Sequence, residues 1–401
     1  MNTSNNIKKR KNKRSDGKLS VGDIITLCIY YVAACCFIPA VLCINISTSV
    51  VNVAALIMCI ISTAIMAKAA GSWKSVAGYA VTVFLVVFLF GAVLPVALFT
   101  SFTSAICIYA LLMTKHRHPL LYGLPLFPFA ISLVFVGGIA GALISVASLP
   151  CTLMLIYSVR KKLDRIATVC RMSFGICAVV AAGFLFFLNV KYGKLSLELI
   201  RGFMSAAREA VTSNLISATD RMATLMNSTD LPLGDLNAYA ATAVSATFNL
   251  LPAIIIVIAN VLSYFIHSMF LGIYAITDEE RKEIYPMLTF DMSLISAIVY
   301  LSVLVLSFAL VTDNLALWGA VAENMMLILA PGLILTALGA LRMITSRKGP
   351  SCLGSIIYML VLFSLLSFSG PAIIIVAAAG AVVIIISHVA SKKKKDGNTT
   401  H

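Results

Sequence analysis

Charge is what this sequence has least of. Only 11% of its 401 residues are Asp, Glu, Lys or Arg, while 60% are hydrophobic. A soluble domain carries roughly a quarter charged residues, so this composition excludes a solvated globular surface and points to the integral membrane class. No acidic residue falls in the middle of a long apolar run, which argues against a proton-coupled pump built on a buried carboxylate. The sequence holds no HExxH, no Walker A pattern and no GxSxG, so zinc protease, nucleotide hydrolase and α/β-hydrolase readings have no support. Its ten cysteines include no CxxC pair, and none lies in the long polar interval. They read as small apolar fillers rather than metal ligands or a disulfide framework. The expectation is therefore a protein that is not an enzyme and has neither metal site nor cofactor.

What charge there is sits in telling places. The formal net charge is +14, yet eleven of the thirty Lys and Arg residues lie in the segments Lys8 to Lys18 and Lys392 to Lys395. Basic tails beside membrane spans orient the chain and touch anionic headgroups. Neither tail has aromatic residues interleaved for base stacking, so no nucleic acid partner is expected.

A bilayer core of about 30 Å needs roughly 20 apolar residues per helix, which gives an all-α, polytopic helical membrane protein of about 12 transmembrane helices. Residues 1–20 read as a disordered basic cytoplasmic tail and 21–190 as a first membrane block of about seven spans. These are 24–42, 50–66, a hairpin within 76–112 turned near Gly91 and Pro95, a hairpin within 120–157 turned near Gly137, Gly138 and Gly141, and 169–190. Val32-Ala33-Ala34-Cys35 looks like a lipobox, but hydrophobicity continues past it, so an uncleaved span is expected. Residues 191–243 form the polar interval and 244–390 a second block of about five spans. These are 250–276, 294–311, 325–343 broken at Pro331-Gly332, and a hairpin of 356–368 and 371–388. Residues 391–401 are a basic tail. Every second connector carries Lys or Arg, while turns near 45–49, 91–95, 137–141, 312–322 and 370 carry none; the long polar interval 191–243, which does carry Lys and Arg, is the one exception. By the positive-inside rule both termini are cytoplasmic, and the chain is a multi-pass protein of the cell membrane.

In the polar interval, Leu197, Ile200, Met204, Ala207, Val211, Leu215, Ala218, Met222 and Leu225 recur at a mean spacing of 3.5. This predicts one extracytoplasmic amphipathic helix. Either it lies over the mouth of its own bundle, or it docks a partner protein as a coiled coil.

Asn249, Asn260 and His267 are 11 and 7 positions apart, which brings each back to within about 20° of one helical face. Tyr264 lies beside them. Polar groups facing lipid are costly, so the stripe is expected inside the bundle, as a small-molecule site or as hydrogen-bonding glue. Glu323 and Asn324, at the outer end of their span, are the other candidates, as ligand contacts or as an interfacial cap. Asp291 is expected to cap the span that begins at 294.

The segments NLLPAIIIVIANVLSYFIHSMF (249–270), TDEERKEIYP (277–286) and ENMMLILAPGLILTALGALRM (323–343) resemble, in order and character, the YybS-type family of uncharacterised multi-pass membrane proteins of Gram-positive bacteria. The resemblance covers mainly 190–388 and rests on pattern rather than a sharp motif. That family is similar, distantly, to the substrate-binding membrane subunits of energy-coupling-factor transporters. The resemblance implies a six-helix solute-binding fold that borrows ATPases from other chains; none of those subunits' substrate residues can be placed here. Small-solute binding or transport is the leading expectation, and a non-transporting scaffold of the cell envelope or morphogenesis machinery is the alternative.

Overall fold

Helix-start chemistry places the first element. Asp23 N donates to Ser20 Oγ at 3.1 Å and Ser20 N to an Asp23 carboxylate oxygen at 3.3 Å. This reciprocal capping box starts α1, Val21–Cys43. The computed structural model describes residues 20–44, 47–70, 93–115, 119–193, 196–225, 233–274, 292–309, 316–346 and 370–397. Within them the remaining helices are α2 (Thr48–Ala70), α3 (Val93–Lys115), α4 (Leu126–Phe135), α5 (Gly138–Ser145) and α6 (Leu149–Arg160). There follow α7 (Arg165–Tyr192), α8 (Leu197–Leu225), α9 (Leu233–Tyr274), α10 (Leu294–Ala309), α11 (Ala316–Ser346) and α12 (Gly370–Gly397). No strand occurs among the described residues. The fold is all-α.

Eight helical stretches among the described residues are long and apolar enough to cross a membrane, one of them being α5 and α6 taken together. Their outward faces carry large apolar side chains: Ile29, Phe135, Phe174, Ile295, Val305 and Ile375 are each 66% exposed or more. Water does not tolerate such a surface, whereas lipid does. The protein is a polytopic helical membrane protein. The expected spans in the first half of 76–112 and at 356–368 lie outside the described residues, as do the 1–19 tail, Asp291 and the charged 277–283 segment.

Several expectations change in detail. Only the second limb of the 120–157 hairpin is a full span: α5 and α6 together cover Gly138–Arg160, whereas Pro119–Phe135 is a shorter apolar stretch ending in the 10-residue α4. The chain breaks between them because Gly137 and Gly138 hold positive φ values of 138° and 63°. A side chain at 137 would meet Cys43 Cβ at 2.8 Å, so glycine is required there. Pro95 sits in the first turn of α3 rather than in a loop. α9 begins at Leu233, well ahead of the expected start near 250, and α11 runs unbroken through Pro331. The helix that begins at Leu294 is capped by Ser293, whose Oγ accepts from Ser296 N at 3.2 Å.

The chain divides into two compact units, one of residues 1–176 and 262–286, the other of 177–261 and 287–401. In the first, α3 is the central helix: 83% of its most apolar window is buried, against 44% or less for every other span. α1 and α2 pack on it through Ala55, Cys59, Val96 and Ala97, and α6 packs on its other side. The contacts also fix relative direction. Lys68 at the end of α2 pairs with Asp23 at the start of α1 at 2.9 Å. Cys59 meets Thr100, Cys107 meets Ile266, and Lys115 lies over the Tyr274 ring. So α2, α3 and the last turns of α9 run parallel to one another and antiparallel to α1. Arg160 Nη2 donates to Met113 O at 3.3 Å, which puts the end of α6 beside the end of α3. One face of this unit thus collects Asp23, Lys68, Lys115 and Arg160, while the uncharged Cys43 and Gly137 meet at the other. This is the alternation expected from the connectors.

In the second unit, Ala297, Tyr300, Ala330, Leu333, Ala377, Ala381 and Ile384 form a core among α10, α11 and α12. Its small residues allow close approach, as in many membrane bundles. Gly380 lies so near Leu333 O that a side chain there would collide with the carbonyl.

Candidate functional site

Polar side chains inside the first unit form two clusters with opposite character. The first is closed. Tyr30 Oη donates to Ser62 Oγ at 2.5 Å and shares a hydrogen bond of 2.6 Å with Ser104 Oγ. Ser104 Oγ also lies 2.5 Å from Thr100 O, and Thr100 Oγ1 donates to Ala97 O at 3.0 Å. Tyr30, Ser62, Thr100 and Ser104 are all buried, and they tie α1, α2 and α3 together. This is glue of the kind membrane helices use in place of a hydrophobic driving force.

The second cluster is open. It lies where the start of α7 meets the last turns of α9. Asp164 caps α7 by accepting from Ala167 N at 3.2 Å, which leaves Arg165 at the first helical position. Arg165 Nη2 donates to Ser268 Oγ at 2.9 Å, and its guanidinium carbon lies 4.3 Å from the Tyr264 ring centroid. Tyr264, His267 and Ser268 stand at i, i+3 and i+4, one face of the helix. His267 is 6% exposed and Ser263 fully buried. Arg165 Nε, His267 Nδ1 and Ser263 Oγ are buried without a hydrogen-bond partner among the described residues. A buried polar group left unpaired costs about 1–3 kcal/mol, and such groups in membrane spans mark pathways and sites.

The expected site residues separate. Tyr264 and His267 belong to the first unit and Asn249, Asn260, Glu323 and Asn324 to the second. The stripe is also not uniformly interior: His267 is buried, Asn260 half-buried and Asn249 exposed. The reason is that α9 is far longer than a span, so its early turns rise beside the polar α8. There Asn249 and Phe248 join Met204, Arg208, Glu209 and Thr212 in lining a groove of about 850 Å³. Glu323 and Asn324 are not at a helix end, because α11 starts at Ala316. Glu323 is exposed.

Asn324 has a definite structural task. Pro252 lies inside α9, lacks an N–H and crowds the preceding carbonyls. Asn324 Oδ1 accepts from Ala253 N at 3.2 Å, and its Nδ2 donates to Asn249 O at 3.0 Å and Ala320 O at 2.8 Å. One amide thus bridges the backbone of α9 at its proline. A neighbouring side chain is the usual means of satisfying a proline-disturbed span.

Sequence reasoning missed Arg165, Ser263 and Ser268. In the sequence Arg165 stands out only as one more cation in a connector. The available signal was the spacing Ser263-Tyr264-x-x-His267-Ser268, which crowds four polar residues into two turns of an apolar helix. No protein-family model, curated protein or solved structure matches this chain.

Proposed function

We propose that this is a non-enzymatic, multi-pass protein of the cytoplasmic membrane, with both termini in the cytoplasm, that binds or translocates a small solute as the membrane subunit of a larger transporter. The observation that carries this reading is the open cluster: His267 Nδ1, Ser263 Oγ and Arg165 Nε, buried and unpaired. Polar groups that serve only as glue are paired, as Tyr30, Ser62 and Ser104 are. Groups in a span that have no partner among the described residues are suited to a partner from outside the chain. The resemblance to YybS-type proteins, and through them to transporter binding subunits, supports the same reading. The test is a thermal-stability screen of the purified protein against amino acids, nucleosides, vitamins, sugars and inorganic ions. A solute that raises the melting temperature of the wild type but not of His267→Leu supports the assignment, and no response to any solute removes it.

A second reading has its own observation. Leu197, Val211 and Leu215 on the apolar side of α8 are 64%, 45% and 42% exposed. A scaffold protein that docks an envelope partner through Leu197–Leu225 would use that face. Photo-crosslinking from Arg208 or Glu209 separates the two readings, since recovery of intramolecular products alone counts against the scaffold.

A further inference from the structure

Three arginines of the first unit, Arg160, Arg165 and Arg171, have no carboxylate partner among the described residues. Asp23 with Lys68 is the one ion pair among the described residues. Arg160 reaches a carbonyl, Lys115 lies 5.2 Å over the Tyr274 ring and Arg171 5.0 Å over the Tyr157 ring. Arg165 lies over Tyr264 and donates to Ser268. Aromatic faces and neutral oxygens hold the side chains of Arg160, Arg165 and Arg171 in place without cancelling their charge. Asp164 is the nearest acidic residue in sequence, and one of its carboxylate oxygens caps α7.

Arg165 differs from the other cations in what surrounds it. Its Nε is buried and unpaired, and the same face of α9 carries the buried, unpaired Nδ1 of His267, with Ser263 Oγ one residue before Tyr264. A guanidinium N–H, an imidazole nitrogen and a hydroxyl, buried and unpaired on two helices that meet at the Arg165–Ser268 hydrogen bond, leave hydrogen-bonding groups with no partner among the described residues. That arrangement suits a tetrahedral oxyanion, which accepts hydrogen bonds from several directions and gains from charge assistance. Basic pockets between helices at the membrane face are also where acidic headgroups bind. We infer that Arg165, His267 and Ser263 form a seat for a phosphate-class anion, carried either by an acidic phospholipid headgroup or by a free phosphate. This names a ligand class for the open cluster, and it rests on the solute-binding reading in taking that cluster as the site.

The test uses the full-length purified protein. Its melting temperature is measured in detergent with and without inorganic phosphate, and in phosphatidylcholine nanodiscs with and without phosphatidylglycerol. The wild type is expected to be stabilised in at least one arm. Arg165→Gln should lose that response, and Arg160→Gln, on the same face but outside the cluster, should keep it. Response to phosphatidylglycerol alone identifies a headgroup; response to phosphate as well shows that the free anion suffices. Where Arg165→Gln fails to fold, Arg165→Lys retains the charge but not the planar fork, and should weaken half-saturation by about tenfold. Equal stabilisation of wild type and Arg165→Gln would overturn the seat. A neutral solute that acts through His267, with no response to either phosphate source, overturns the anion class while leaving solute binding intact. Silence from every probe removes both.

Discussion

The two polar clusters of the first unit are built from the same materials and end in different states. Around Tyr30, three hydroxyl groups from three helices complete one another at 2.5–2.6 Å. Around Arg165, one bond to Ser268 is made, and the neighbouring nitrogen and hydroxyl atoms are left over. The closed cluster is not perfect, since Ser101 Oγ and Tyr31 Oη nearby are also unpaired. Neither of those sits beside a cation, however. What distinguishes the open cluster is the coincidence of unpaired polar atoms with an arginine that has no carboxylate partner among the described residues, and the proposed ligand rests on that coincidence.

The comparison makes opposite predictions for similar substitutions. The largest effect is expected at the closed cluster: Ser104→Leu, which forces bulk into a fully buried position and removes a shared hydroxyl, should destabilise by about 1–3 kcal/mol. A clear drop in the melting temperature of the ligand-free protein would show it. Asn324→Leu should cost about 1–2 kcal/mol, because Asn249 O and Ala253 N lose their bridge at Pro252. Pro252→Ala in that background should recover part of the loss, which a double-mutant cycle measures. Tyr30→Phe should cost about 0.6–1.7 kcal/mol, the range for interhelical hydrogen bonds in membranes. Its effect should not add to that of Ser104→Ala. Smallest of all, Ser263→Ala should change ligand-free stability by less than about 0.5 kcal/mol, or raise it, because no hydrogen bond is lost. A substantial loss there would mean that Ser263 has a partner and that the clusters are alike.

Much of the architecture was legible beforehand. The amphipathic spacing gave the helix that starts at Leu197, because an apolar repeat of 3.5 fits no other periodic element. The connector charges matched the faces of the first unit because Lys and Arg are driven to one side of a bilayer whatever the helix packing. Other features were hidden. Proline and glycine signals misled at Pro331 and Pro95, since a membrane helix can absorb a proline that would end a soluble one. The roles of Asn324 and Arg165 depend on residues about 70 to 100 positions away, and spacing along one helix cannot report those. The stripe on α9 was visible as a pattern. Its division into an exposed Asn249, a half-buried Asn260 and a buried His267 depends on packing against other helices.

The most direct test is a side-by-side melting curve of wild type and His267→Leu, each with and without the solutes of the screen. The open cluster predicts a ligand-free midpoint for the variant equal to or above that of wild type, together with complete loss of the solute-induced rise. A variant that melts markedly lower without ligand yet keeps the full rise would show that His267 is glue and that the binding site lies elsewhere.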